Sequence, residues 1–373
     1  MSRLPDRATV LGSGAGALTI AAELGIAGVD VTLADFHRFA AGLEPVAASG
    51  GVRVLCGWHG STVIPVSATS QDPATAARDT PLVIVSVPSF GHAPFAEALA
   101  ETIEDGQTLI WAGEGGGAFS MAAELRKIGR RPQIMLGETN TLPYGARIQA
   151  PGVVAAERKA GGTLVAGFPT GSGDKVFGIA RDIWSWVSRA ENAWETLLVN
   201  YNAIDHVATL LCNLGTVEGR SGRMLLWGEG ATPGVVNVIE AVDAELLALR
   251  AALGLKDRRR YVDYLVAQGL VASAGDSLHS TIHSSVLSTV TFQCGPAALE
   301  SRYITEDVPF ALVLASSIGV EVDVGTPTID ALVGLASAAT TIDWRARGRS
   351  LATWELAGLG RDGLVQAVEA GWW

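Results

Sequence analysis

Apolar positions follow two regimes along the chain. Up to about Gly173, short β-branched runs alternate with amphipathic stretches; beyond it, apolar residues recur at three- and four-residue spacing almost throughout. In the first regime Ala8-Thr9-Val10-Leu11 reads as a buried strand and Leu18 to Ala27 as an apolar helix. Val29 to Ala34 reads as a second strand. Phe36 to Ser49 is helical in pattern, and Val52 to Cys56 with Gly60 to Val66 suit an inserted antiparallel pair. A short helix is expected over Asp72 to Arg78, with Pro73 near its start. Pro81 to Val87 is a continuous β-branched run, the mark of a strand buried on both faces of a parallel sheet. Helix Phe95 to Ile103, strand Thr108 to Trp111, helix Ala118 to Lys127, strand Gln133 to Leu136 and strands Val153 to Glu157 and Thr163 to Gly167 continue the alternation. The second regime predicts helices over Asp174 to Ser188, Glu195 to Asn213, Asn237 to Ala252, Asp330 to Ala339 and Ser350 to Leu359. The fold class expected is therefore α/β: a doubly wound Rossmann sheet over residues 1–173, then an all-helical domain over 174–373.

Between the first strand and helix lies Gly12-Ser13-Gly14-Ala15-Gly16-Ala17. Gly12 permits a tight strand-to-helix turn, Gly14 lets backbone approach a pyrophosphate, and Ala17 keeps helix and strand close. The helix N-terminus then presents free N–H groups to phosphate. Asp35 closes the second strand about 20 residues on, the place of an acid that binds a ribose 2′-hydroxyl and repels a 2′-phosphate. NAD is the cofactor expected; His37 and Arg38, next to Asp35, leave NADP as the alternative. Ligands in such sheets bind at the carboxyl ends of strands, so Val87, Pro88 and the following Ser89-Phe90-Gly91-His92 should border the cofactor. The run Gly113-Glu114-Gly115-Gly116-Gly117 is a second glycine turn between strand and helix.

Composition narrows the class. Of 373 residues, 48% are hydrophobic and 17% charged, enough for a large core in two domains and too apolar for disorder. A net charge of −11 argues against nucleic acid or an anionic membrane as partner. Cys56, Cys212 and Cys294 are odd in number and far apart, which reads as free thiols with neither disulfide nor metal site. With no leader pattern and no apolar run of about 18 residues, a cytoplasmic protein is the simplest expectation. The apolar helices suit a core or a homodimer.

The helical half must supply the group that moves protons. Lysine, common in that role, is absent from 176 to 255. His206, in Asn202-Ala203-Ile204-Asp205-His206, is the alternative, because imidazole exchanges a proton near neutral pH. It needs an orienting carboxylate. Asp205 adjoins it in sequence and should project elsewhere on a helix; Glu306 and Asp307 sit together in an apolar region, with Arg302 nearby to fork onto a substrate carboxylate.

Three segments carry a resemblance: Glu138-Thr139-Asn140-Thr141-Leu142-Pro143-Tyr144; Asn202 to His206 running on to Leu210-Leu211-Cys212-Asn213; and Arg302-Tyr303-Ile304-Thr305-Glu306-Asp307-Val308-Pro309. With Gly325 to Asp330 and Gly348 to Leu351, they resemble the octopine/nopaline (opine) dehydrogenases along the whole chain. That family joins an amino acid to a 2-oxo acid such as pyruvate and reduces the C=N bond with NAD(P)H. The resemblance implies His206 as general acid/base, Asp307 as its partner, Arg302 and Tyr303 at the substrate, and Glu138 and Thr139 beside nicotinamide and substrate. One departure is Val207, where the family typically has proline. The rival readings are a hydroxy acid dehydrogenase, a ketopantoate-reductase-like enzyme, and a non-catalytic NAD(H)-binding sensor.

Overall fold

The protein is described from a computed structural model, which covers residues 4–220, 223–289, 292–293 and 299–371. Cys294 lies outside these residues; Cys56 and Cys212 are free thiols. The described residues up to Leu197 and from Gln366 onward form one compact unit, and Leu198–Val365 form the other.

The first unit begins with β1 (Arg7–Leu11), α1 (Ala15–Ile26) and β2 (Asp30–Ala34). Then come α2 (Ala40–Ser49), β3 (Gly51–Cys56), β4 (Gly60–Pro65), β5 (Ala68–Ser70) and α3 (Pro73–Ala77). β6 (Leu82–Val85), α4 (His92–Ala100), β7 (Thr108–Trp111), α5 (Gly117–Lys127) and β8 (Met135–Thr139) continue the alternation. β9 (Tyr144–Ala150), β10 (Val153–Arg158), β11 (Leu164–Phe168), α6 (Gly173–Ile183), β12 (Ser188–Arg189) and α7 (Ala193–Leu198) complete it.

The main sheet runs β12-β11-β8-β7-β6-β1-β2-β5. All its pairs are parallel except β8 with β11. The chain leaves β1 for β2 on one side and returns to β6 on the other, so the topological switch point lies at the carboxyl end of β1. Val10, Leu33, Val83, Ile84 and Ile110 are fully buried, as strands covered on both faces require. A second sheet, β4-β3-β10-β9, packs against α1. Gly25 of α1 belongs to that contact: a Cβ there would lie 2.7 Å from Cγ2 of Ile64. α1 is sealed further by Tyr144, whose hydroxyl donates to Glu23 (3.3 Å) and accepts from the Trp184 indole (2.8 Å).

The expected alternation holds through this unit, with differences that matter. β8 starts and ends later than the apolar run suggested, which puts Glu138 and Thr139 inside the strand. β9 was not foreseen, because after Tyr144 it is mostly exposed and carries no continuous apolar run. The unit also continues past Gly173: β12 extends the sheet beside β11, so the division falls at Leu197/Leu198.

In the second unit α8 (Tyr201–Cys212) is followed by α9 (Leu214–Gly219), α10 (Pro233–Ala252), α11 (Tyr261–Ala267) and α12 (Leu278–Ser284). α13 (Arg302–Thr305), the π-helical turn Val308–Leu312, α14 (Val313–Glu321) and α15 (Pro327–Thr340) follow. The single helix expected over Glu195 to Asn213 is two. It breaks before Asn200, whose side chain accepts from Ala203 N (3.2 Å) and starts α8 afresh. Val242, Leu246, Leu249 and Leu253 of the α10 stripe are buried within the chain and form core. The helix expected from Ser350 is only the 3₁₀ turn Leu351–Trp354, because Glu355 turns left-handed (φ +58°); the last helix is Gly360–Ala370. The run Arg302–Glu321 has the length and apolarity of a membrane span, contrary to expectation. It is 67% buried, as a core element is.

Candidate functional site

The glycine turn has the form its sequence requires. Gly12 has φ +113°, and a Cβ there would lie 2.5 Å from the carbonyl oxygen of Ser86, so only glycine fits. Val87 lies against the same point, 3.0 Å from that Cβ position, which brings Val87-Pro88 beside the turn. Gly14 caps α1 with no side-chain hydrogen bond, is exposed, and a Cβ on it would meet nothing within 4 Å. This is an open approach to an unshielded helix N-terminus, and it fits a pyrophosphate. Ala15 and Gly16 form the first turn; Gly16 backs onto Ser86 Oγ (2.6 Å from its Cβ position), and Ala17 is fully buried against the sheet.

Asp35 is 4% exposed. Its Oδ2 accepts from Ser13 Oγ and its Oδ1 from Phe36 N, both at 2.7 Å. Ser13 thus joins the glycine turn to the acid. Burial raises the Asp35 pKa, against the lowering by those hydrogen bonds and by Arg38. His37 Nδ1 is paired with Gln71 Oε1 (2.5 Å), and the Arg38 guanidinium lies over the rings of Phe36 (4.9 Å) and Phe39 (5.1 Å).

Glu138 and Thr139 are fully buried. Glu138 Oε2 accepts from the backbone N–H groups of Gly116 (2.8 Å) and Ala118 (3.0 Å), and Oε1 from Thr196 Oγ1 (2.6 Å). It caps the start of α5 from a neighbouring strand, where a carboxylate also meets the favourable end of the helix dipole. Thr139 Oγ1 accepts from Gly113 N (2.9 Å) and donates to Gly113 O (3.1 Å). Both residues shape the second glycine turn. Ser89 Oγ donates to Glu114 Oε2 (3.1 Å) in that region, a buried pair the sequence did not reveal. His92 is buried edge-on to Trp111, with ring centroids 5.3 Å apart.

In the second unit α8 carries His206, and its Nδ1 lies 2.8 Å from Oδ2 of Asp307. Asp307 is 2% exposed, and 17% of the His206 side chain remains accessible. Tyr303 stacks on the imidazole at 3.6 Å with 6° between the planes, and Trp227 stands 5.9 Å from it. α8 runs unbroken through Val207, where no proline interrupts its ladder. Asp307 sits where the α13 run widens into the π-helical turn. Pro309 has no N–H to continue the ladder to the turn before it, and Arg349 donates to this segment, from N to Pro309 O and from Nη2 to Phe310 O, both 2.8 Å. Arg302 is paired through Nε with the buried Glu306. Most of the Arg302 side chain stays accessible beside that ion pair.

Trp111, Tyr144 and Tyr201 are core residues. Asp205 was discounted from its sequence position, yet its Oδ1 lies 3.9 Å from His206 Nε2.

The nucleotide-binding sheet with an open helix N-terminus, and the histidine–carboxylate pair in a helical unit, define an NAD(P)-dependent oxidoreductase. Residues 8–169 match the family described as ketopantoate reductase PanE/ApbA, and residues 189–340 match NAD/NADP octopine/nopaline dehydrogenase, alpha-helical domain. An opine dehydrogenase of Arthrobacter sp. (strain 1C) is 31% identical over 363 residues, which span 96% of this chain and 98% of that one. The chain belongs to the opine dehydrogenase family. Among solved structures, octopine dehydrogenase with NADH and L-arginine is similar in fold, with TM-score 0.78, 19% identity and coverage of 97% and 98% of the two chains. Yersinopine dehydrogenase with NADP+ is also similar, with TM-score 0.70, 12% identity and coverage of 97% of each chain.

Proposed function

We propose that the protein is an opine dehydrogenase that condenses the amino group of an amino acid or other amine with a 2-oxo acid such as pyruvate and reduces the resulting imine. The observation that carries this reading is the His206–Asp307 pair at 2.8 Å, set in a chain of this family. Asp307 is buried and holds the proton on Nδ1, which leaves Nε2 as the atom that takes and gives protons. Imidazolium, when it forms, is stabilised by the Asp307 carboxylate in a site with little water to screen it. Tyr303, stacked on the ring, restricts its rotation, so Nε2 keeps one direction through addition, loss of water and reduction. NAD(P)H, when bound, supplies the hydride that reduces the C=N carbon. Val87, Pro88, Gly12 and Gly14 admit the coenzyme backbone-to-phosphate; the last two offer no side chain in its way.

Asp35 favours NADH. A 2′-phosphate would meet a buried carboxylate whose nearest cation, Arg38, is stacked on phenylalanine rings. NADH is expected to bind tighter than NADPH by roughly tenfold or more, about 1.4 kcal/mol, and Asp35→Asn should narrow that difference. The sign with pH follows from the raised Asp35 pKa. The ionised, ribose-accepting form exists above that pKa and is lost as pH falls through it. NADH affinity should therefore weaken at a higher pH than an ordinary aspartate would give, and Asp35→Asn should flatten the profile. Fluorescence titration of both coenzymes across mildly acidic pH reads each outcome.

The function is tested with the purified protein, NADH or NADPH, pyruvate and a panel of amino acids. Coenzyme should be oxidised only when oxo acid and amine are both present. Oxidation with the oxo acid alone would point to a hydroxy acid dehydrogenase instead.

A further inference from the structure

Asp205 is a buried carboxylate with one oxygen committed and one not. Oδ2 accepts from the Trp227 indole N–H (2.8 Å) and from the Tyr261 hydroxyl (2.6 Å). Oδ1 accepts no hydrogen bond among the described residues and lies 3.9 Å from His206 Nε2, on the opposite side of the ring from Asp307. The two atoms are too far apart to bond directly. One nitrogen or oxygen placed between them would stand at hydrogen-bond distance from both. Here the two donors on Oδ2 fix the group and aim its other oxygen at the atom that moves protons.

We propose that Asp205 seats the amino group of the amine substrate, with Oδ1 accepting one of its N–H bonds so that the nitrogen lies against His206 Nε2. This inference rests on the opine dehydrogenase reading. The chemistry balances. An ammonium N–H proton passes to Nε2 of neutral His206, and the nitrogen keeps the electron pair. That pair forms the C–N bond at the oxo-acid carbonyl carbon while the C=O π pair moves to oxygen. The oxygen takes the proton back from Nε2, giving the protonated carbinolamine. Asp205 stays ionised throughout, holding the positive nitrogen before and after.

Among the described residues, the groups facing the imidazole include Asp307 at Nδ1, Asp205 at Nε2, the stacked Tyr303, Trp227 and, through Asp205, Tyr261. Burial and the neighbouring carboxylate push the Tyr261 pKa well up, which keeps it a donor to Oδ2. Burial raises the Asp205 pKa as well, with His206 the first of the groups opposing it.

The test is D205N in the full chain. The amine KM should rise by roughly 10- to 100-fold, the loss of one charge-assisted hydrogen bond, while the oxo-acid KM and NADH affinity hold. Y261F, which only loosens the carboxylate, should give a smaller rise. An unchanged amine KM in D205N overturns the proposal, as does an equal rise in both KM values. Two readouts do not need turnover. NMR titration of the His206 Cε1 resonance should show imidazolium less favoured in D205N, and n-butylammonium should perturb that resonance in the parent chain but not in D205N. If no amine and oxo acid are turned over by the parent, the function reading fails; the butylammonium arm then decides Asp205 alone, and a shift that persists in D205N sinks it.

Discussion

Replacing His206 by asparagine is expected to lower kcat by about 10²- to 10⁴-fold, the usual worth of a positioned acid/base. NADH affinity should be unchanged, because Gly12, Gly14 and Asp35 belong to the other compact unit. Asparagine keeps polarity and a similar volume on α8, so the helix should survive. D307N should also lower kcat, since an amide there no longer stabilises imidazolium and can present its NH₂ to Nδ1, favouring the wrong tautomer. Steady-state kinetics with a coenzyme titration separates the two effects. Activity within tenfold of the parent in H206N would remove His206 from the proton path.

Glu138→Ala is expected to have the largest effect on stability, with the substitution acting on structure more than on substrate. Two backbone N–H groups lose their acceptor in a fully buried place, and the Thr196 hydroxyl keeps only the Ala193 carbonyl. At ~1–3 kcal/mol for each buried donor left unsatisfied, and allowing for non-additivity, the loss should be about 3–5 kcal/mol. In a unit of this size that is a fall in Tm of roughly 6–20 °C. E138Q should lose less, because its remaining carbonyl still caps the start of α5. A variant with normal Tm and lost kcat would return Glu138 to the substrate, where the family resemblance had put it.

The contrast between these two residues shows how far the sequence could be read. Strand, glycine turn, helix and acid form a local pattern with a fixed period, so β1, α1 and Asp35 were legible from spacing alone. His206 and Asp307 are far apart in sequence, and only the resemblance paired them; the 2.8 Å contact depends on α8 and a π-helical turn packing together. The capping role of Glu138 was not legible because the strand edge was drawn before it. An apolar run ends where polarity begins, while β8 continues through buried polar residues whose hydrogen bonds come from elsewhere. Asn200 shows the same blindness in a helix: a cap in mid-pattern looks like one more polar position. Asp205 was set aside on helical geometry that fixes the direction of Cβ but not of the carboxylate, which Trp227 and Tyr261 turn toward Nε2.

The central claim is that hydride reaches a carbon bonded to nitrogen. NADH carrying deuterium at the transferred position, incubated with the protein, pyruvate and an accepted amino acid, tests it by mass spectrometry and NMR of the product. The expected result is one deuterium on the former carbonyl carbon of pyruvate, now bearing the new C–N bond. Deuterium on the carbinol carbon of lactate, with no amine incorporated, would contradict it.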